Sequence, residues 1–237
     1  MDTNSLILAI ETSSRIGSVA LSDRHGLLVE ASFSAPLRHS AELFPTIERL
    51  LSENNLSRQG IGEIYLSIGP GSFTGLRIAV AVAKAMHLAN NLRIVTVGTL
   101  DVIAQNRTRC QTIKPDSILA PILDAKRGQF FVAAYECSAP CDPLKKIISD
   151  CVVTPQEFLS KLSGTNKPLY LLGDGLLYHS EAFASARSIC LEKVYWTPRA
   201  AQVLALGSQK SEREEFTDPM QLLPFYMRAP QVTVKKK

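Results

Sequence analysis

Apolar and polar positions along the chain switch between two periods. Short apolar runs closed by glycine, proline or polar clusters predict strands over residues 6–10, 17–21, 27–33, 64–68, 92–97, 118–123, 129–135, 145–153 and 169–172. Helical spacing predicts helices over 40–51, 75–89, 100–106, 155–162, 178–186 and 200–209. In the first helix the apolar positions are Leu43, Phe44, Ile47, Leu50 and Leu51, and Pro45 among them predicts a late start or a local kink. Thr154 precedes the helix at 155, and Thr197 or Pro198 is expected to start the last one. The proline-punctuated stretch from Pro219 to Val234 reads as a tail able to pack across either half.

The rest of the pattern is organised around residues 64–89. Its strand stops at Gly69, Pro70 and Gly71, which must form a turn, and Ser72 or Thr74 then offers a side-chain oxygen to cap the helix. Around that helix only Arg77, Lys84 and His87 are clearly polar, so it should be covered on more than one side. Gly75, Ala79 and Ala83 fall four apart and let a neighbouring backbone approach, while Ile78, Val82 and Met86 form a bulkier ridge. Two readings stand: a core helix, or a helix shared between the core and a partner protein. A triphosphate loop needs two glycines five positions apart followed by Lys and Ser or Thr, whereas Gly75 is followed by Leu76 and Arg77. The glycines therefore read as a structural turn.

The opening pattern recurs. A strand, an acidic turn and a strand at LILAIETSSRIGSVAL, with Glu11 in the turn, are echoed at ILAPIL, Asp124 and QFFVAAY about half a chain later. This predicts a duplicated α/β fold with mixed sheets flanked by helices, divided into residues 1–105 and 106–237. The tail is expected to be able to pack back on the first half.

Composition narrows the function classes. The 237 residues are 46% hydrophobic, enough for a large core, and the net charge of +4 is scattered rather than striped. Lys235, Lys236 and Lys237 read as a solvated tail, with a nucleic-acid contact as the alternative. The first apolar run is only six residues and follows an acidic residue, which predicts neither a secretory leader nor a membrane span, and a cytoplasmic protein. Cys110, Cys137, Cys141, Cys151 and Cys190 form no CxxC pair and none stands beside a histidine at zinc spacing, so free thiols are expected.

Taken together, AIETSSRIGSVAL, RHSAELFPTIERLL, IGPGSFTGLRIAVAVAKAM, ILDAKRGQFFVAAY and PFYMR resemble the TsaB (YeaZ) family, which assists threonylcarbamoyladenosine formation in tRNA. The resemblance spans nearly the whole chain, and GPGSFTGLR after a strand is its specific part. It implies two tandem actin-like (ribonuclease H-like) domains, the second reduced, as in sugar kinases and heat-shock ATPases. It implies a non-catalytic subunit that binds the TsaD enzyme and, with the ATPase TsaE, supports threonylcarbamoyl transfer to N6 of adenosine 37 in tRNAs reading ANN codons. The tRNA would be met through the complex, and ATP and metal would be used by the partner proteins, with no cofactor on this chain.

On this resemblance the helices at 40–51 and 75–89 are the expected interface to TsaD, in a four-helix bundle. His39, Leu43, Phe44, Ile47, Leu50, Gly75, Ile78, Ala79, Val82, Ala83 and Met86 would supply it, and the same surface would drive homodimer formation when the partner is absent. Ala83→Glu is then expected to abolish the heterodimer and leave the fold intact.

Metalloenzyme relatives carry two histidines four apart, where this chain has Gly98, Thr99, Leu100, Asp101 and Val102. No metal site is expected, and His39 alone cannot organise one; His25, His87 and His179 have no ligand spacing. A vestigial nucleotide site would involve Glu11, Thr12, Asp124, Gly173, Asp174 and Gly175, although Arg15 and Ile16 replace the glycine-rich hairpin tip that phosphate needs. The alternative function is a small-molecule kinase or ATPase of the same fold, and a metallopeptidase would require a bound metal.

Overall fold

A computed structural model describes residues 6–23, 25–139 and 142–228. The lysines at 235–237, Cys141 and the last part of the 219–234 tail lie outside the described residues. The first half forms a five-stranded sheet from β1 (Leu6–Glu11), β2 (Ser18–Asp23), β3 (Gly26–Ser32), β4 (Ile61–Ser67) and β5 (Arg93–Val97), in the order β3-β2-β1-β4-β5. The second half repeats it with β6 (Ser117–Asp124), β7 (Phe130–Cys137), β8 (Lys145–Val153), β9 (Leu169–Leu172) and β10 (Ser188–Cys190), in the order β8-β7-β6-β9-β10. Pairing directions match as well: antiparallel on the hairpin side of β1 and β6, parallel on the other. The internal repeat is thus a repeat of topology.

Helices cover both sheets. On the outer face of the first sheet lie α1 (His39–Glu53) and α2 (Phe73–Asn90), packed against each other and on Leu8, Ile10, Val19, Ile64 and Leu66. Alternate residues of the same strands, Ala9, Ala20 and Tyr65, face inward and meet α5 (Ala200–Ser211) through Val203 and Leu204. Between α5 and the second sheet runs α3 (Thr99–Gln105), which turns Val102 to the first core and Leu100 and Ile103 to Leu119, Ala133 and Tyr135. Each half therefore lends its last helix to the other. The far face of the second sheet is closed by α4 (Pro155–Lys161) and by Phe158 and Phe183, whose rings meet at 6.0 Å.

Local side-chain caps start α2 and α4. Ser72, not Thr74, caps α2, accepting from the Gly75 amide at 3.3 Å. Thr154 and Glu157 form a reciprocal capping box on α4. Three expectations are corrected. Residues 178–186 hold only a single 3-10 turn, Ser180–Phe183, because Phe183 alone anchors the stretch while Tyr178 is exposed. Neither Thr197 nor Pro198 caps α5; its first amides, of Ala200 and Ala201, are bound by the Ser18 hydroxyl and the Glu30 carboxylate from the first sheet. Pro45 does not delay α1, which already starts at His39.

Candidate functional site

Two regions carry the residues singled out by sequence: a cleft between the two hairpin turns, and the helix pair α1 and α2. In the first hairpin the Glu11 carboxylate is fully buried and points into its own turn, where Oε1 accepts from the Ser13 amide at 2.6 Å and from the Ser13 hydroxyl. Burial pushes its pKa up, against the opposing bonds from Ser13. Thr12 is equally buried, and its hydroxyl donates to the Gly75 carbonyl at 2.8 Å. Neither side chain lines the cleft.

The cleft itself has a volume of about 470 Å³ and is lined by Ser13, Ser14 and Arg15 from the first hairpin, Asp124 and Lys126 from the second, Asp174 after β9, and Ser72 and Phe73 at the start of α2. Of the proposed nucleotide residues, Asp124 and Asp174 reach it. Asp124 is tied to Lys126 by an ion pair and by its amide at 2.7 Å; burial works against ionisation, but these bonds outweigh it and hold the carboxyl below its usual range. Gly175 is packed against Ile122 and Leu123, and Gly173 against the Ile122 backbone. The cleft thus sets Arg15 and Lys126 at the hairpin tips beside Asp124 and Asp174, with Lys126 and Asp124 paired to each other. Among the described residues, no three His, Cys, Asp or Glu side chains converge as metal ligands.

The glycine turn serves packing. Gly71 lies against the first hairpin so closely that a Cβ there would stand 2.3 Å from the Ser13 carbonyl oxygen. The backbone that Gly75 admits is likewise the chain's own, at Thr12. Gly69 and Pro70, joined by a cis peptide bond, complete the turn.

Burial corrects the expected interface list. His39, Leu43, Ile47, Leu50, Gly75, Ala79, Val82 and Ala83 are all buried within this chain, because they form the face that α1 and α2 turn toward each other and the sheet. His39 ties α1 to the first hairpin: Nε2–H donates to the Ser14 carbonyl at 2.9 Å, the ring lies against Phe33, and burial lowers its pKa despite that bond. Ile78 and Met86 are half-buried on the same core. Of the expected residues Phe44 alone is widely open, at 53%. The outward face of the pair instead presents Ala41, Phe44 and Pro45 on α1, and Ile78, Ala81, Ala85 and Leu88 on α2. Spacing of three and four residues marks this strip in the sequence, but the apolar residues on every side of α2 hid which face was free.

A model of the family described as TsaD, tRNA N6-adenosine threonylcarbamoyltransferase, matches residues 34–233. Relatives named tRNA threonylcarbamoyladenosine biosynthesis protein TsaB are 27% identical in Bacillus subtilis, over 97% of this chain and 96% of that protein, and 25% identical in Haemophilus influenzae, over 98% and 97%. The chain belongs to this family, on its TsaB (YeaZ) branch. The solved structure of YeaZ from Pseudomonas aeruginosa is similar in fold, with a TM-score of 0.80 and 25% identity over 94% of this chain and 99% of that one. The two tandem mixed sheets are thus the actin-like architecture of TsaB proteins. No helix among the described residues is long and apolar enough to cross a membrane.

Proposed function

We propose that this chain is the non-catalytic subunit of a tRNA threonylcarbamoyladenosine-forming assembly, and that it binds a TsaD-like enzyme through the outward strip of α1 and α2. The observation that carries the reading is that strip: Phe44, Ile78, Ala81, Ala85 and Leu88 form an open apolar face on two adjacent helices, with Leu88 83% exposed. Small residues at 81 and 85 suit close approach by a second helix pair, and a bundle of four helices needs about 800 Å² from each partner. The TsaB names of its relatives support the pathway. A TsaE-like ATPase completes the assembly, tRNA is the shared substrate, and ATP and metal are used by the partners, in a cytoplasmic setting. Without the enzyme the same strip pairs two copies of this chain.

Reconstitution tests it. Purified chain, TsaD, TsaE, tRNA and the threonylcarbamoyl-adenylate precursors should yield modified adenosine, and omission of this chain alone should abolish it. Undiminished modification on omission, or ATP turnover by the isolated chain, would overturn the reading.

A further inference from the structure

Residues 217–228 form a strap that is carried on the first half. The Thr217 amide donates to the Ile94 carbonyl of β5 at 2.8 Å, Leu222 is buried in the first core, and the Phe225 amide donates to the Ile68 carbonyl at 2.7 Å. Tyr226 then meets the start of α2. Its ring stacks on Phe73 with centroids 5.1 Å apart, and its hydroxyl accepts from Arg77 Nε at 3.0 Å. Gly69 lets the strap lie close, since a Cβ there would stand 2.5 Å from the Phe225 carbonyl oxygen.

Two residues later the strap changes sides. Arg228 reaches the second hairpin, where Nη1 donates to the Ala125 carbonyl at 2.7 Å and Nη2 to the Gln129 side chain. Ala125 and Gln129 flank a turn of Lys126, Arg127 and Gly128, whose φ values of 67°, 60° and 70° are all left-handed. Two of those three residues carry a Cβ, and a turn of that shape persists only where its surroundings hold it. The Ala125 amide closes the turn on the Gln129 carbonyl at 3.0 Å, and Arg228 bridges the same two residues from outside.

This crossing stands beside the cleft. A second cavity of about 370 Å³ shares Gly71, Phe73, Ala125 and Phe131 with the cleft, and residues 225–228 supply another of its walls. The cleft is also lined by Thr99, at the start of α3, and by Pro198, just before α5. Through α3 and α5 the halves are joined by buried apolar packing, whereas Arg228 joins them by hydrogen bonds from a half-buried side chain. A packed core gives way only on wider unfolding; a pair of partly exposed hydrogen bonds opens and re-forms locally.

We propose that residues 225–228 are a clasp on the cleft. With Arg228 bound they hold the second hairpin to the start of α2; with Arg228 released the halves part about α3 and α5, and the cleft widens. The clasp does not depend on the subunit reading above.

The test uses the full-length chain with nitroxides on non-natural ketone side chains in place of Ile16 and Tyr178, which are exposed and lie one on each half. The native cysteines then stay unlabelled. Pulsed electron resonance reads the distance between the halves, and hydrogen exchange reads the Ala125 and Gln129 amides that close the turn. Arg228→Ala removes both bonds, each worth a factor of about ten in the ratio of closed to open. It should speed exchange of those amides at least about tenfold and give a longer, broader distance distribution, with the circular dichroism spectrum unchanged. Arg228→Lys keeps one donor for Ala125 and should fall between the parent and Arg228→Ala. Tyr226→Ala frees the strap from α2 while the Phe225 amide still holds it, and should shift both readouts the same way by less. Faster exchange with an unchanged distance overturns the proposal, because Arg228 then braces only its own turn. Parental behaviour in both readouts overturns it too. Should Arg228→Ala lose its circular dichroism spectrum, Arg228→Lys is judged by the same two readouts.

Discussion

Thr12 and Gly75 lock the first hairpin to the start of α2. The Thr12 hydroxyl donates to the Gly75 carbonyl at 2.8 Å, and a Cβ added at residue 75 would stand 1.9 Å from the Thr12 carbonyl oxygen. The obstacle is backbone, which cannot rotate away as a side chain would. Gly75→Ala should therefore destabilise the chain by about 3 kcal/mol, read as a lower urea midpoint. Thr12→Val, which keeps the shape and removes one bond, should cost only about 1 kcal/mol. A Gly75→Ala protein with an unchanged midpoint would show that the helix does not rest on the hairpin.

The two faces of α2 separate folding from assembly. Ala83 is fully buried and Ala85 is exposed, two residues along the same helix. Ala83→Glu, expected from sequence to spare the fold, should instead unfold it, because an unpaired buried carboxylate costs roughly 3 to 5 kcal/mol. Ala85→Glu should change stability by no more than about 0.5 kcal/mol, yet give a monomer in sedimentation and no capture of TsaD. Normal capture by a folded Ala85→Glu protein would remove the outward strip as the interface.

Glu11 should make stability depend on pH. Burial raises its folded pKa, so the folded chain keeps a proton over a range in which the unfolded chain has lost it. The resulting stabilisation is complete below the ordinary carboxylate pKa and is lost as pH rises through the folded value. Glutamine keeps the acceptor that Ser13 uses and cannot ionise. Glu11→Gln should match the parent near pH ~4 and exceed it increasingly toward pH ~8 in chemical denaturation. Parallel curves for the two proteins across that range would show that Glu11 titrates as an ordinary carboxyl.

Much of the architecture is written locally. Strands at the predicted places, the Ser72 and Thr154 caps and the recurrence of strand, acidic turn and strand all rest on interactions within a few residues. The cap of α5 could not be seen this way, since its acceptors, Ser18 and Glu30, are about 170 residues or more away from the amides they bind. Residues 178–186 failed for the converse reason: a helical spacing was present, but only Phe183 had a core to enter.

The order of apolar and polar residues settled most of the segments that become strands and helices, though not the 3-10 turn at Ser180–Phe183 or β10, and it settled that the unit occurs twice and which family the chain resembles, because periodicity and turn chemistry are short-range properties. It left undecided which side of α2 is covered, whether Glu11 faces the cleft or its own turn, and that Phe73, Arg77 and Tyr226 meet. Those outcomes depend on what lies opposite each side chain, and that partner comes from the other hairpin, the other sheet or the far end of the chain. Only packing brings them within reach, and burial and hydrogen bonding then choose among faces that look alike along the chain.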